Sequence, residues 1–397
     1  MNREDFPILS NEYIYFDNAA TTLKPKCVID AMNKYYLEYT SNIHRGDYDS
    51  AVKTNEIYDN VRNIVGEFIN CDPNTVIYTS GSTHSLNMVV FGFMKYYLKS
   101  GDEVLLNKAE HASNILPWIE LSKEIGFTIK YVPLDKDYSV TLDNIKSCVT
   151  SNTKVISLAM ISNVIGDVRD IKSIGDYCHS NNIIFNVDGA QGIPHMKFDF
   201  KNSNVDFLSF SGHKMCGPTG VGILVGKYEL LEKMKPLMYG GGMNSFFEED
   251  NSYELKSIPT RFEAGTPAIA EVIGLGAAIK YLMGIGMENI HQQEVNLKTY
   301  FLEKVKDIDN IIIYNKNINS GIIAFNIDGV FAQDASMYLN HYGIAVRAGN
   351  HCAKMLKDEM DIKNTVRISM YFYNTYKEID KVIEVLKNSK DIFNVIL

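Results

Sequence analysis

The chain has 397 residues, 46% hydrophobic and 22% charged, with a formal net charge of −9 and six cysteines. This composition predicts a folded chain of two or three domains, and its acidic balance argues against nucleic acid or an anionic membrane as main partner. Because the chain shows no CxxC pair, no basic leader before an apolar stretch and no run of about 18 apolar residues, we expect a cytoplasmic protein without disulfides, metal centre or membrane span.

Short apolar runs alternate with helical spacers along the first part of the chain. The runs lie at residues 75–79, 103–106, 128–132, 153–159, 182–187, 207–209 and 222–225. Runs that are apolar throughout are typical of strands buried on both faces, and the spacers are long enough for crossover helices. The pattern predicts an α/β domain with a mainly parallel seven-stranded sheet, whose ligands bind at the carboxyl ends of the strands.

The pattern changes after residue 267 and predicts a smaller α+β C-terminal domain. A long amphipathic stretch, 268–305, predicts a helical bridge between the domains. We expect strands at 321–326 and 344–346 and helices at 332–342 and 375–388. We assign residues 21–283 to the large domain, and residues 1–20 and 284–397 to the small domain.

The segment from Thr79 to Asn87 reads Thr-Ser-Gly-Ser-Thr-His-Ser-Leu-Asn; it follows a predicted strand and opens a predicted helix. Backbone N–H groups and the hydroxyls of Ser82 and Thr83 would meet at the positive end of that helix, which suits a phosphate group. The alternative is an ordinary Ser/Thr N-cap without a ligand.

Lys214 lies in a turn of small residues, Ser-Gly-His-Lys-Met-Cys-Gly-Pro, and Asp188 ends an apolar strand upstream of it. This pairing is typical of pyridoxal phosphate sites. The lysine attaches to the cofactor aldehyde, and the acid keeps the pyridine nitrogen protonated so that the ring withdraws electrons. Ser211 and His213 flank the lysine as further candidate phosphate donors. For a lysine considered alone, the alternative is a solvated loop residue.

Three polar side chains follow other predicted strands at the same end of the sheet. His111 is a candidate for stacking on the pyridine ring and moving protons, or else a surface histidine in a loop. Gln191 is a candidate donor to the phenolic oxygen of the cofactor. Asn163 is a candidate for contact with that oxygen or with a substrate carboxylate.

Cys352 lies in the segment Arg347-Ala-Gly-Asn-His-Cys-Ala, where arginine, histidine and glycine surround it. Such a flexible, electropositive loop favours an exposed nucleophilic thiolate over the alternative of a buried structural cysteine. Arg367, on a predicted strand, has a guanidinium suited to gripping an α-carboxylate through two hydrogen bonds, the alternative being a surface ion pair.

With these residues the chain resembles the cysteine desulfurases of the class V aminotransferase family, specifically the Suf-type group that includes selenocysteine lyases. The resemblance runs nearly end to end. It lies in the segments 15–22, 42–46, 79–87, 110–118, 187–191, 211–214, 261–267 and 373–375, and in the Cys352 loop.

The resemblance implies a fold-type I pyridoxal-phosphate-dependent transferase that forms a homodimer, in which Thr266 reaches the phosphate of the partner's cofactor. It implies that Lys214, with His111, moves the Cα proton of L-cysteine and that Cys352 attacks the substrate sulfur. Alanine then leaves, and a persulfide on Cys352 awaits a Suf-type acceptor protein of iron–sulfur cluster assembly. Asn163, Arg347 and Arg367 are predicted to bind the substrate.

One departure from the family pattern lies beside the nucleophile. Many Suf-type members have two histidines before the cysteine, whereas here Asn350 precedes His351. Two alternatives stay open: a selenocysteine lyase or another C–S lyase or aminotransferase with the same cofactor, and an inactive cofactor-binding partner of Suf-like proteins.

Overall fold

The computed structural model describes residues 3–11, 13–44, 46–317, 319–389 and 392. Its main sheet has seven strands, and Gly222–Gly226 alone runs antiparallel to its neighbours. In spatial order the strands are Val76–Thr79, Gly222–Gly226, Phe207–Ser211, Ile184–Asp188, Thr153–Ala159, Glu103–Asn107 and Thr128–Val132. The predicted mainly parallel seven-stranded sheet is confirmed.

The register of this sheet aligns the ends of its central strands. Asp188 pairs with Ala159 on one side and with Ser209 on the other. Every residue of Ile184–Asp188 and of Phe207–Ser211 is buried, because helices cover both faces of the sheet. The carboxyl edge of the sheet therefore presents Asp188 beside the turn that carries Lys214.

Helices surround this sheet and connect its strands. Their bounds are Lys26–Glu38, Asp49–Ile69, Ser82–Asn87, Lys95–Tyr97, Leu116–Ile125, Leu142–Cys148, Ile171–Ser180, Tyr228–Leu231 and Ile269–Ile285. A π-helical stretch, Met88–Met94, joins the third and fourth of these, so the chain is helical from Ser82 to Tyr97.

A second, smaller sheet of four antiparallel strands lies toward the C-terminus. Its spatial order is Ile311–Ile313, Ile322–Ile327, Thr365–Ser369 and Arg347–Gly349. The helices Met287–Val305, Ala332–His341, Lys354–Glu359 and Tyr376–Lys387 accompany it. A separate apolar core, which includes Phe16, Phe301, Phe325 and Leu386, holds this unit together. The predicted smaller α+β unit is confirmed, whereas the domain limits stay a prediction.

Two local expectations differ from the structure. The predicted strand 344–346 is divided: Ile344–Ala345 pairs with Ile14–Tyr15, and the next strand begins at Arg347. A further hairpin, Asn244–Phe247 with Tyr253–Leu255, was not predicted.

The predicted helical stretch 268–305 consists of two helices, Ile269–Ile285 and Met287–Val305. It is broken at Gly286, whose φ of 89° lies in the left-handed region that favours glycine, and the two halves meet at a 73° bend. Among the described residues, no single helix is long and apolar enough to span a membrane. The two helices that meet at Gly286 reach that length and hydropathy only when they are counted together.

Candidate active site

A cavity of about 250 Å³ opens at the carboxyl edge of the main sheet, where it meets the smaller sheet. All the predicted site residues except Thr266 line it: Ser82, Thr83, His111, Asn163, Asp188, Gln191, Ser211, His213, Lys214, Arg347, Cys352 and Arg367. Thr266 lines a separate pocket with Asn42 and His44. The sequence segments that carry these residues therefore converge on one place, although hundreds of positions separate some of them.

Lys214 ends a short helical turn that begins at Gly212, directly after a buried strand. Burial lowers the pKa of the Lys214 amine, and the nearby Asp188 carboxylate opposes this shift. Asp188 is itself fixed, because its Oδ1 accepts hydrogen bonds from Ser82 Oγ at 3.1 Å and from the Ala190 amide at 2.9 Å. The arrangement favours an uncharged, nucleophilic amine beside a rigidly placed carboxylate.

The backbone of the Lys214 turn is clamped by an N-terminal segment that sequence reasoning did not single out for this role. The carbonyl of His213 accepts hydrogen bonds from the Thr22 amide at 3.0 Å, the Thr22 hydroxyl at 3.1 Å and Lys24 Nζ at 2.9 Å. Burial lowers the pKa of Lys24 to about 8. These donors hold the residue before Lys214 in place.

The helix that begins at Ser82 borders the cavity, as predicted for a phosphate site. The Ser82 amide donates to Ser211 Oγ at 2.8 Å, and the hydroxyls of Thr83 and Ser113 share a hydrogen bond of 2.7 Å. Gly81, with φ of 150°, allows the sharp turn from strand to helix. The hydroxyl of Ser82 faces Asp188, so this residue links the helix end to the strand end.

His111 stands at the start of a short helical turn, and its Nδ1 accepts a hydrogen bond of 3.1 Å from the Ser113 amide. Burial lowers the pKa of the His111 imidazole, and Lys214 lowers it further whenever its amine is protonated. The neutral ring therefore has its proton on Nε2, since Nδ1 is an acceptor.

A buried ion pair anchors the chain beside His111, and no local sequence signal indicated it. The carboxylate of Glu110 pairs with Arg169, and both side chains are fully buried. Glu110 Oε2 also accepts hydrogen bonds from Asn114 Nδ2 at 2.7 Å and from the Ala159 amide at 2.8 Å. This network ties the His111 segment to the sheet.

The amide side chains of Gln191 and Asn163 both bind backbone carbonyls. Gln191 Nε2 donates to Ala19 O at 2.7 Å, while its buried Oε1 has no partner among the described residues. Asn163 Nδ2 donates to His351 O at 2.7 Å. The predicted contacts of these amides with cofactor or substrate stay predictions.

The Cys352 loop is strained and tightly held. His351 and Cys352 both have positive φ values, 49° and 57°, which cost non-glycine residues roughly 1 kcal/mol or more each. The carbonyl of Cys352 accepts a 2.8 Å hydrogen bond from the Ala112 amide, next to His111. These contacts present the exposed thiol of Cys352 to the cavity and couple its loop to the His111 segment.

His351 should make stability depend on pH. Its Nε2 donates to Thr365, and burial lowers its pKa to about 3. The unfolded chain, with a histidine pKa of about 6.5, therefore takes up this proton first as the pH falls, so stability is lost from about pH 6.5 downward. Between pH 7 and pH 5 the parent should lose about 2 kcal/mol more unfolding free energy than His351→Gln.

Urea unfolding at the two pH values measures this difference. His179→Gln is the matched control, because His179 is exposed, and it should lose as much stability as the parent. Equal losses in the parent and in His351→Gln would contradict the assignment.

Arg367 is almost fully buried, and its guanidinium is only partly used. Nη1 donates to Asn163 O at 2.8 Å and Nη2 to Asp17 Oδ1 at 3.0 Å, while Nε has no partner among the described residues. Burial lowers the pKa of this guanidinium. The unused donors fit a carboxylate in the cavity.

Comparisons with known proteins agree with this geometry. Residues 14–382 match the family model described as Aminotransferase class-V. A curated relative from Halalkalibacterium halodurans, named "Probable cysteine desulfurase", is 39% identical over 98% of this chain and 97% of its own length.

Solved structures of cysteine desulfurases have the same fold. The apo enzyme from Thermococcus onnurineus has a TM-score of 0.94 at 34% identity, covering 97% of this chain and 96% of that one. CsdA from Escherichia coli has a TM-score of 0.92 at 32% identity, covering 100% and 98%. The chain therefore belongs to the class-V aminotransferase family.

Proposed function

We propose that this chain is a pyridoxal-phosphate-dependent cysteine desulfurase, which converts L-cysteine to L-alanine and keeps the sulfur as a persulfide on Cys352. The observation that carries the proposal is that Lys214 and Cys352 line the same cavity. The desulfurase relatives, similar over nearly the whole chain, support it.

The residues around the cavity fit the cofactor. Lys214 offers an amine, Asp188 a fixed carboxylate for the pyridine nitrogen, and the helix beginning at Ser82 a positive end for the phosphate. The buried Oε1 of Gln191 has no hydrogen-bond partner among the described residues, so it is a further polar atom at the cavity that a bound cofactor could pair. When bound, pyridoxal phosphate withdraws electrons from the substrate Cα.

The chain's own residues bind the substrate, move its protons and attack its sulfur. Arg367 binds the α-carboxylate of L-cysteine through its free N–H groups. The Lys214 amine takes the Cα proton, and His111 holds on Nε2 a proton that it can donate. The Cys352 sulfur attacks the substrate sulfur, so that an S–S bond forms and the substrate C–S bond breaks. The electron pair of the broken C–S bond stays on the substrate Cβ, which takes up one of the two thiol protons, and Cα regains the proton held by Lys214. The products are L-alanine and a persulfide on Cys352.

Anaerobic mass spectrometry after incubation with L-cysteine tests the proposal. The peptide containing Cys352 should gain one sulfur atom, with alanine formed in equal amount. The peptide containing Cys27, which is also exposed, should stay unmodified. An unmodified Cys352 would contradict the desulfurase and favour a lyase or aminotransferase.

We further propose that the protein is a homodimer in which Thr266 acts on the partner's cofactor phosphate. The separate position of Thr266, outside the cavity of its own chain, supports this proposal. Co-expressed Lys214→Ala and Thr266→Ala chains should then form mixed dimers with one fully native site. Such mixed dimers should regain about half the activity of the native dimer. If their activity is no higher than that of a dimer of two Thr266→Ala chains, Thr266 does not act across the interface.

The resemblance also supports a Suf-type acceptor protein, activity on L-selenocysteine and a cytoplasmic location. An acceptor of this type should accelerate sulfur release from Cys352 in steady-state assays. An unchanged rate would argue against that partner.

A further inference from the structure

Arg347 and Arg367 lie directly opposite each other across two antiparallel strands. Both side chains line the cavity, Arg347 near its mouth with 48% of the side chain exposed and Arg367 deep inside with 3% exposed. Like charges in directly opposed positions of a sheet repel each other. The pair therefore needs a negative group between its guanidinium groups.

Asp17 provides that group. Its carboxylate lies 3.0 Å from Arg367 Nη2 and 3.1 Å from Arg347 Nε. The backbone of Asp17 is fixed by a bridge to Ser369 and by hydrogen bonds from the Ala20 amide and the Tyr15 hydroxyl to its carbonyl. One immobile carboxylate thus serves both arginines.

The sum of these charges matters for the substrate. Two guanidinium groups and one carboxylate leave a single net positive charge at this end of the cavity. Arg367 keeps an unpaired Nε among the described residues, and the Nε of Arg347 donates to both oxygens of Asp17. The net charge at this end of the cavity therefore balances one carboxylate.

We propose that Asp17 is a positioning residue that sets substrate selectivity: by neutralising Arg347, it restricts the cavity to amino acids with one carboxylate. The proposal rests on the proposed function, because it assumes that the α-carboxylate of the substrate binds Arg367 and that the substrate side chain points toward Cys352. Arg347 belongs to the loop segment that ends at Cys352, so a freed Arg347 would attract an acidic substrate side chain.

Binding of L-aspartate and L-alanine to the holoenzyme tests this proposal, with the visible absorbance of the cofactor as readout. In Asp17→Asn the ratio of the L-aspartate to the L-alanine dissociation constant should fall by about ten-fold. Asp17→Glu, which keeps the charge, should preserve the ratio of the parent. Asp30→Asn, which removes an exposed carboxylate paired with Lys26 on a distant helix face, should do the same.

A second variant acts in the opposite direction and does not depend on the folding of Asp17→Asn. In Arg347→Met the carboxylate of Asp17 keeps only Arg367, so the ratio should rise. The proposal would be overturned if the ratio of the two dissociation constants were unchanged in both variants, or if both amino acids lost affinity equally. L-cysteine turnover by the parent would still support the proposed function in that case. A parent holoenzyme that binds neither amino acid would overturn the proposed function as well.

Discussion

Lys214→Ala should lower alanine formation from L-cysteine by at least about 10³-fold. In the proposed mechanism the Lys214 amine attaches the cofactor and moves the Cα proton, and burial lowers the pKa of this amine, which favours its uncharged form. Lys24, the other amine near this turn, cannot replace it, because its Nζ binds the carbonyls of Thr22 and His213.

Two measurements check this expectation. After borohydride reduction, intact-protein mass spectrometry should find the reduced cofactor bound to the parent and absent from the variant. Lys172→Ala is the matched control, because Lys172 is exposed and its ion pair among the described residues is with Asp176 on its own helix. Substantial turnover by Lys214→Ala would remove Lys214 from the mechanism.

Cys352→Ala should lower alanine formation by roughly 10³-fold while leaving cofactor binding unchanged. The thiol lies in the cavity on a strained loop, and its removal leaves no sulfur nucleophile in that loop. The cofactor contacts proposed for Lys214 and Asp188 involve other elements of the fold, so the absorbance spectrum of the holoenzyme should stay that of the parent.

Cys27→Ala is the matched control, since Cys27 is also exposed but lies on a helix outside the cavity. Alanine production is measured for both variants at saturating L-cysteine. Full turnover by Cys352→Ala would contradict the persulfide route. Retained turnover of L-selenocysteine by this variant would favour the lyase alternative.

The fold and the centre of the site could be predicted because their signals are local. Uniformly apolar runs indicate strands buried on both faces, and this was right for all seven strands of the main sheet to within a few residues. Residues that follow parallel strands meet at one edge, so Asp188 and the segments before His111 and Lys214 could be placed together without coordinates.

Other features were beyond sequence reasoning. The break at Gly286 was not predicted because helix-favouring residues lie on both sides of it, and one glycine does not end a helix by itself. Asp17 belongs to a segment that the resemblance included, but nothing near it in the chain indicates which cations it pairs with.

The sequence by itself determined the family and the cofactor chemistry and indicated the candidate reactive residues, because these depend on residue type and short spacing. The tertiary structure alone decided how those residues are held: Asp17 between Arg347 and Arg367, Ala112 on the Cys352 carbonyl, and Glu110 on Arg169. The physical reason is that a charge or hydrogen-bonding group acts over a few ångströms, and only the packing of the folded chain brings such distant segments within that range.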